Sequence, residues 1–403
     1  MERPGSLRAL TLLTLLILQG CSTGQHGSGP PVQVVSTQVT APTQKEARAL
    51  LDANQFAELD RRFSEIQRNY KAGSITDEDL RAAFRAFYQT DPTLEQKYTA
   101  WIAQFPKSYV ARLARSIYYS KVGQLRRGGE SISNTTEEQL RGMDAAFTQS
   151  LTDLYASLEL DDKPLLTYWQ EMDIARYVGD DEHSRAILEA AIRVDRDNVI
   201  VREKYMGTLL PRWGGSIEQM RAFVEESKRA GLSAERSGLL EGMIFADQAQ
   251  TEEEAGDYDA AERDFRKAAA LGNEDCLACF AGVLVHSGRF AEAIPIYSRS
   301  LILQPGDVDT LANRSYAYMR SGMAREGIDD LQAAAGAGSA YAQSELGRYY
   351  MTGIPGILAP NPATGVAWFK KSAAQGYPAG QENLERARKL FGPTVDSDSP
   401  VVN

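Results

Sequence analysis

Beyond Lys45 the apolar positions recur at intervals of three and four. Phe56, Leu59, Phe63, Ile66 and Tyr70 make one such stripe, and Leu80, Phe84 and Phe87 begin the next, which is the period of a helix with one buried face. Strand-like alternation is nearly absent. Helix starts are marked by Thr76 with Asp79, a loose capping box, and by Thr135 with Glu138 and Ser216 with Gln219, which fit the box fully. Stops fall at Gly73, Gly128 with Gly129, Gly179, Gly214 with Gly215, and Gly231. The pattern predicts an all-α chain of many short helices joined by short turns.

The pattern also repeats along the chain. Within 277–305 stand Leu284, Gly288, Ala293, Tyr297 and Pro305; Tyr318, Gly322, Gly327, Leu331 and Ala334 follow 34 residues on, and Gly256, Ala261, Phe265 and Ala268 precede by 32. A fainter copy runs from Leu165 to Arg196 through Ala175, Gly179, Leu188 and Ala191. These spacings resemble the tetratricopeptide repeat, although Ser300 stands where that repeat usually carries Ala. Residues 342–376, with Leu346, Gly347, Tyr350, Gly353, Ala363, Ala367, Trp368 and Phe369, resemble the related Sel1-like repeat and its longer loop, here 354–362. A last helix from Pro378 to near Phe391 carries Glu385, Arg386, Arg388 and Lys389, the charged outer face that a solenoid cap needs. The resemblance implies an α-solenoid of stacked hairpins, with tetratricopeptide repeats over 236–340, a Sel1-like repeat and cap over 341–392, and a disordered tail over 393–403.

Residues 45–235 match no repeat cleanly. They resemble a bacterial family known only as a domain of unknown function, DUF4034, in two stretches: Tyr109 to Thr136, an aromatic helix ending in Arg126, Arg127, Gly128 and Gly129, and Leu210 to Met220, reading LPRWGGSIEQM. That resemblance implies a helical domain and transfers no activity. The cluster Pro211 to Ser216 has two readings. Arg212 and Trp213 are residue types that anchor peptides or glycans at a surface. Alternatively Gly214 and Gly215 end one helix, Ser216 caps the next and Trp213 covers the junction. The structural reading is preferred, as it is for Arg126 and Arg127 in the last turn of their helix.

At the N-terminus Arg3 and Arg8 precede an apolar run, Ala9 to Leu18, too short for a hydrocarbon core of ~30 Å that needs ~20 residues. This is the form of a secretory signal. It ends in Leu18, Gln19, Gly20 and Cys21, which resembles the lipobox of bacterial lipoproteins. The resemblance implies a signal peptide over 1–20, cleavage before Cys21, and acyl chains, palmitate among them, on that residue. Ser22 in place of Asp resembles proteins sent on to the outer membrane. Residues 21–44, rich in Gly, Pro, Ser and Thr, then form a flexible tether reaching roughly 25 to 30 Å. The expected location is the periplasm-facing side of a Gram-negative outer membrane.

Composition narrows the chemistry. The 403 residues hold 44 Lys and Arg against 54 Asp and Glu, a net charge of -10, which argues against a nucleic-acid partner. Three His and three Cys leave little material for metal sites or His-dependent nucleophiles. His183 and His286 lie far apart and are read as surface or packing residues, and the run Glu252 to Glu254 as a solvated face. No P-loop, H-E-x-x-H, G-x-S-x-G or dinucleotide fingerprint occurs, so no cofactor, metal or catalytic residue is expected. Cys276 and Cys279 form a C-x-x-C at the start of a repeat helix. It could be redox-active, but no βαβ pattern surrounds it, and it is read as a packed thiol pair or a local disulfide.

Tetratricopeptide stacks bind partners on the surface lined by the first helix of each hairpin. The resemblance places groove positions on Gln250 and Glu253, on Asp275 and His286, and on Asp309, Tyr316, Met319 and Arg320, with Tyr316, Met319 and Arg320 the strongest anchors. The leading expectation is a non-catalytic, membrane-anchored lipoprotein that binds a protein partner in envelope assembly or maintenance. The alternatives are a periplasmic immunity protein inhibiting a delivered toxin, and an enzyme using the N-terminal domain.

Overall fold

A computed structural model describes residues 41–392 apart from 130–133, Asp275 and Pro305. The expected signal peptide, Cys21, most of the tether and the C-terminal tail lie outside the described residues. Among these residues the chain is helical throughout, with one isolated antiparallel bridge between Ile354 and Leu358 and no strand.

The first segment comprises α1 (Gln44–Asp52), α2 (Phe56–Lys71), α3 (Asp77–Phe84) and α4 (Leu94–Gln104). Its core is aromatic because the stripes read from the sequence converge. Phe63 lies 4.4 Å from Phe87 and 5.2 Å from Phe84, and Phe87 lies 5.9 Å from Trp101, edge and tilted geometries that ring quadrupoles favour. Then come α5 (Tyr109–Arg127) and α6 (Glu137–Leu158). Between them Asp153 is buried at 1% side-chain exposure and accepts from Arg115 at 2.7 and 2.8 Å and from Arg112 at 3.1 Å. Arg126 lays its stem against Gly142 and Arg127 lies over the Tyr177 ring, so both serve packing as expected.

The cap of α6 is shifted by one residue from the expected position. Thr136 and Gln139 form the reciprocal box, not Thr135 and Glu138, because two Thr and the run Glu137, Glu138, Gln139 satisfy the spacing twice. Thr76 and Asp79 form their box as expected. Ser216 accepts from the backbone of Gln219, which is the forward half of the expected box.

Next are α7 (Leu165–Val178), α8 (Asp181–Val194), α9 (Ile200–Met206), α10 (Ile217–Arg229) and α11 (Ala234–Glu254). Asp77 on α3 accepts from the backbone N–H groups of Val199 (2.7 Å) and Ile200 (3.2 Å) at the start of α9 and pairs with Arg236 of α11. The expected division at 235/236 therefore falls inside α11, a helix tied by this aspartate to the segment before it.

The hairpins of the repeat region are α11 with α12 (Tyr258–Ala270), α13 (Leu277–His286) with α14 (Phe290–Leu303), and α15 (Val308–Arg320) with α16 (Ala324–Gly336). The signature residues are their core: Ala261, Leu284, Ala293, Tyr297 and Ala334 are all at most 1% exposed. Gly256, Gly288 and Gly322 turn the chain between the helices of each hairpin at φ of 79°, 73° and 80°, where a side chain would be strained. The array ends in α17 (Ala340–Thr352), α18 (Pro362–Ala374) and α19 (Pro378–Phe391). The longer loop between α17 and α18 is held by Asn361 donating to the Tyr350 carbonyl at 2.6 Å. On α19 Leu384 and Ala387 are buried while Glu385, Arg386, Arg388 and Lys389 face outward, the charged cap that was expected.

Candidate protein-binding groove

Two side-chain clusters occupy the faces of the first helices. The C-terminal one is aromatic and cationic. Phe290, the first residue of α14, meets Tyr316 of α15 edge-on at 5.9 Å. The Arg320 guanidinium lies 4.6 Å above the Phe290 ring and 5.6 Å from that of Tyr316, and its Nη1 donates to the Tyr316 hydroxyl at 2.7 Å. Tyr316 is 37% exposed and Arg320 is exposed. Stacking on two rings is worth about 0.5–1 kcal/mol at an exposed site. It holds the guanidinium in place with little remaining rotamer freedom to lose when a ligand binds.

Met319 does not belong to this surface. A methyl at Gly327 would come within 2.6 Å of its sulfur, so Met319 is turned into the packing of its own hairpin. The missing side chain at Gly327 creates the space, and the expected anchor is filler there. Asp309 is exposed in the first turn of α15, at the end of the helix away from Arg320. Asp275 lies outside the described residues.

The second cluster joins α11, α13 and the short 3₁₀ turn Pro211–Trp213. Arg212 Nη1 donates to Gln250 Oε1 at 2.8 Å and lies 3.8 Å from Asp247 Oδ1. Burial raises the Asp247 carboxyl above the usual range and Arg212 opposes the shift. Gln250 in turn donates to Cys276 Sγ at 3.3 Å. Glu253 sits over Gly282, where a methyl would stand 3.9 Å from its carboxylate and 4.0 Å from the Tyr297 hydroxyl. Burial raises the Glu253 carboxyl, and the charge of His286 opposes the rise. His286 stacks flat on Tyr258 with ring centres 4.9 Å apart. Asp247 and Tyr258, beside Gln250 and His286, and Phe290 in the C-terminal cluster are residues that the sequence spacing did not name.

Cys276 and Cys279 are not joined by a disulfide in this structure; Cys276 stands at the N-cap of α13 and Gln250 Nε2 reaches both sulfurs. Two expectations are corrected. Trp213 is 71% exposed and covers no junction. Leu210, buried at 7%, fills that place, and a Cβ at Gly215 would fall 2.1 Å from the Leu209 carbonyl oxygen, so the chain itself closes over the joint. The Glu252 to Glu254 run is not a uniformly solvated face, since Glu252 and Glu253 are half-buried.

His183 has a partner in the core rather than on this face. Its Nε2 lies 3.0 Å from the Glu171 carboxylate, which is 6% exposed, and that hydrogen bond raises the imidazole above its ordinary range.

Cavities of about 380 and 340 Å³ lie elsewhere, one under the 352–360 loop and one among Tyr70, Asp77, Lys163, Asp195 and Arg236. In the second the charges are spent on structure: Tyr70 donates to Asp195 at 2.6 Å, and Lys163 pairs with it at 3.0 Å. Neither is lined by Arg212 or Trp213. Among the described residues no cluster of three or more His, Cys, Asp or Glu could hold a metal ion, and no helix is long and apolar enough to cross a membrane.

These features define an α-solenoid of stacked helical hairpins behind a helical N-terminal segment. Residues 43–193 of that segment match the family described as "Domain of unknown function (DUF4034)". No curated protein matches the chain. Among solved structures the chain is similar to YrrB, described as a TPR protein with an unusual peptide-binding site, at 19% identity over 50% of this chain and 97% of that one, with a TM-score of 0.34. It is also similar to c5321, a protective antigen of uropathogenic Escherichia coli strains displaying an SLR fold, at 15% identity over 88% of this chain and 92% of that one, with a TM-score of 0.29.

Proposed function

We propose that the protein is a non-catalytic, membrane-anchored lipoprotein that binds a protein partner through the first-helix faces of its repeats, in assembly or maintenance of the cell envelope. The observation that carries the binding reading is the Phe290, Tyr316 and Arg320 cluster: an exposed guanidinium fixed on two rings, with Tyr316 and Arg320 on a first helix of the array. A guanidinium held in this way still presents N–H edges to solvent, which suits a carboxylate side chain or terminus of an incoming peptide. Anchoring rests on the sequence around Cys21 and on the run of Gly, Pro and Ser that follows it. Attachment through lipid on one residue would leave the repeats close to the membrane surface and free to meet a partner.

The test is co-purification from detergent-solubilised membranes. The native chain brings down a defined partner, and Tyr316→Ala combined with Arg320→Ala loses it with helicity unchanged. Cys21→Ala moves the chain out of the membrane fraction. An undiminished partner in the double variant removes the groove from the account, and membrane retention of the Cys21 variant removes the anchor.

A further inference from the structure

The C-x-x-C pair stands on the binding face with a chemistry that peptide binding does not use. Cys276 occupies the cap of α13 at φ −109° and ψ 22°, and Cys279 lies within the first turn. Gln250 Nε2 reaches both sulfurs, at 3.3 Å to Cys276 Sγ and 3.9 Å to Cys279 Sγ, so the two thiols sit side by side beneath one amide. Both are half-buried, and no disulfide joins them in this structure. Structural thiols are normally sunk in apolar surroundings. These pack against the hydrophobic core of their hairpin as well, but they also have the Gln250 amide within reach, the Arg212 guanidinium bonded to that amide, and Glu253 and Tyr297 near Cys279.

We propose that Cys276 and Cys279 form a thiol–disulfide exchange site for small-molecule disulfides, with Cys279 as the nucleophile and Cys276 as the resolving thiol. The Cys279 thiolate attacks one sulfur of R–S–S–R, giving the Cys279–S–S–R mixed disulfide and RS⁻, which takes a proton from water to become RSH. Cys276, deprotonated by solvent, then attacks Cys279 Sγ and expels the second RS⁻. Two cysteine thiols are oxidised to one disulfide, and R–S–S–R is reduced to two RSH. Residues three apart on a helical turn have Cα atoms about 5 Å apart, inside the range a disulfide spans.

The choice of Cys279 as attacker follows from its surroundings. The hydrogen bond from Cys276 is the largest influence, and with that from Gln250 it outweighs burial and the nearby Glu253 charge, bringing the Cys279 thiol down to about 7. Much of it is then thiolate at neutral pH, and an attacking thiol near ambient pH is close to the optimum for exchange.

The experiment uses the full chain carrying Cys21→Ser, in which the pair are the only remaining thiols, and 5,5′-dithiobis(2-nitrobenzoate) as the disulfide. The chain is expected to release two thionitrobenzoates and end with an internal disulfide, the first release rising with pH to a midpoint near 7. Cys276→Ser keeps the fast attack but stops as the mixed disulfide after one release. Cys279→Ser reacts about threefold more slowly at neutral pH. Two independent, equally slow modifications with the midpoint of an ordinary thiol, about 8.5, would overturn the proposal. So would a Cys279→Ser variant that keeps the fast phase. Circular dichroism on each variant separates lost reactivity from lost fold.

Discussion

Single residues build the proposed binding face by a device used twice. The turn glycines Gly256 and Gly288 are each followed, two residues later, by an aromatic that opens the second helix of its hairpin, Tyr258 and Phe290. Each ring then receives the last residue of a first helix one repeat on, His286 on Tyr258 and Arg320 on Phe290. The 32-residue spacing of the two aromatics was visible in the sequence, but their function was not, because a ring at a helix start reads equally well as core. Met319 shows the converse: its place in the repeat marked it for the groove, and the absent side chain of Gly327 drew it inward. His183 supplies a prediction at this scale. Its pKa is raised in the folded chain by Glu171, so its stabilising contribution is complete below the unfolded value of about 6.5 and is lost as pH rises through the folded value. The stability deficit of His183→Gln, measured by urea denaturation, is therefore expected to be larger at about pH 6 than at about pH 8.5. A deficit that grows with pH would contradict the pairing.

Helices and their junctions were legible where one chemistry had one solution. Gly73, Gly179 and Gly231 end their helices at positive φ as their positions foretold, and the last helix runs from Pro378 to Phe391 as read. Legibility failed where two solutions differed by a residue, as with the α6 cap. It also failed where a long-range partner decided the outcome, as at Trp213, whose expected place went to Leu210. Asp77 is the strongest long-range case. It opens α3 and yet supplies the capping acceptor for α9 and the counter-charge for Arg236 on α11, pairings that local spacing cannot reveal. Removing one partner of a buried, paired charge costs about 3–5 kcal/mol. Asp77→Ala should lower the denaturation midpoint accordingly, whereas Asp309→Ala, exposed on α15, should leave it nearly unchanged. Equal effects of the two substitutions would show that α3, α9 and α11 are not fastened in this way.

For the molecule as a whole, the periodicity and repeat spacing were enough to read an all-α solenoid. They could not reveal how the N-terminal helices meet the repeats. Arg212 belongs to the first and touches Gln250 and Asp247 of the second, so the proposed binding face draws on both. That arrangement gives the segment matching the uncharacterised family a physical relation to the repeats: it precedes a turn whose arginine supports the inner side chains of α11. The central claim is that a protein partner lies along the first helices. It is tested most directly by photo-crosslinking in cells with benzoylphenylalanine at Tyr316 on α15 or at Gln332, exposed on α16, the second helix of the same hairpin. A discrete crosslinked partner from position 316 and none from position 332 is the predicted result; equal crosslinking from both, or from position 332 alone, would contradict it.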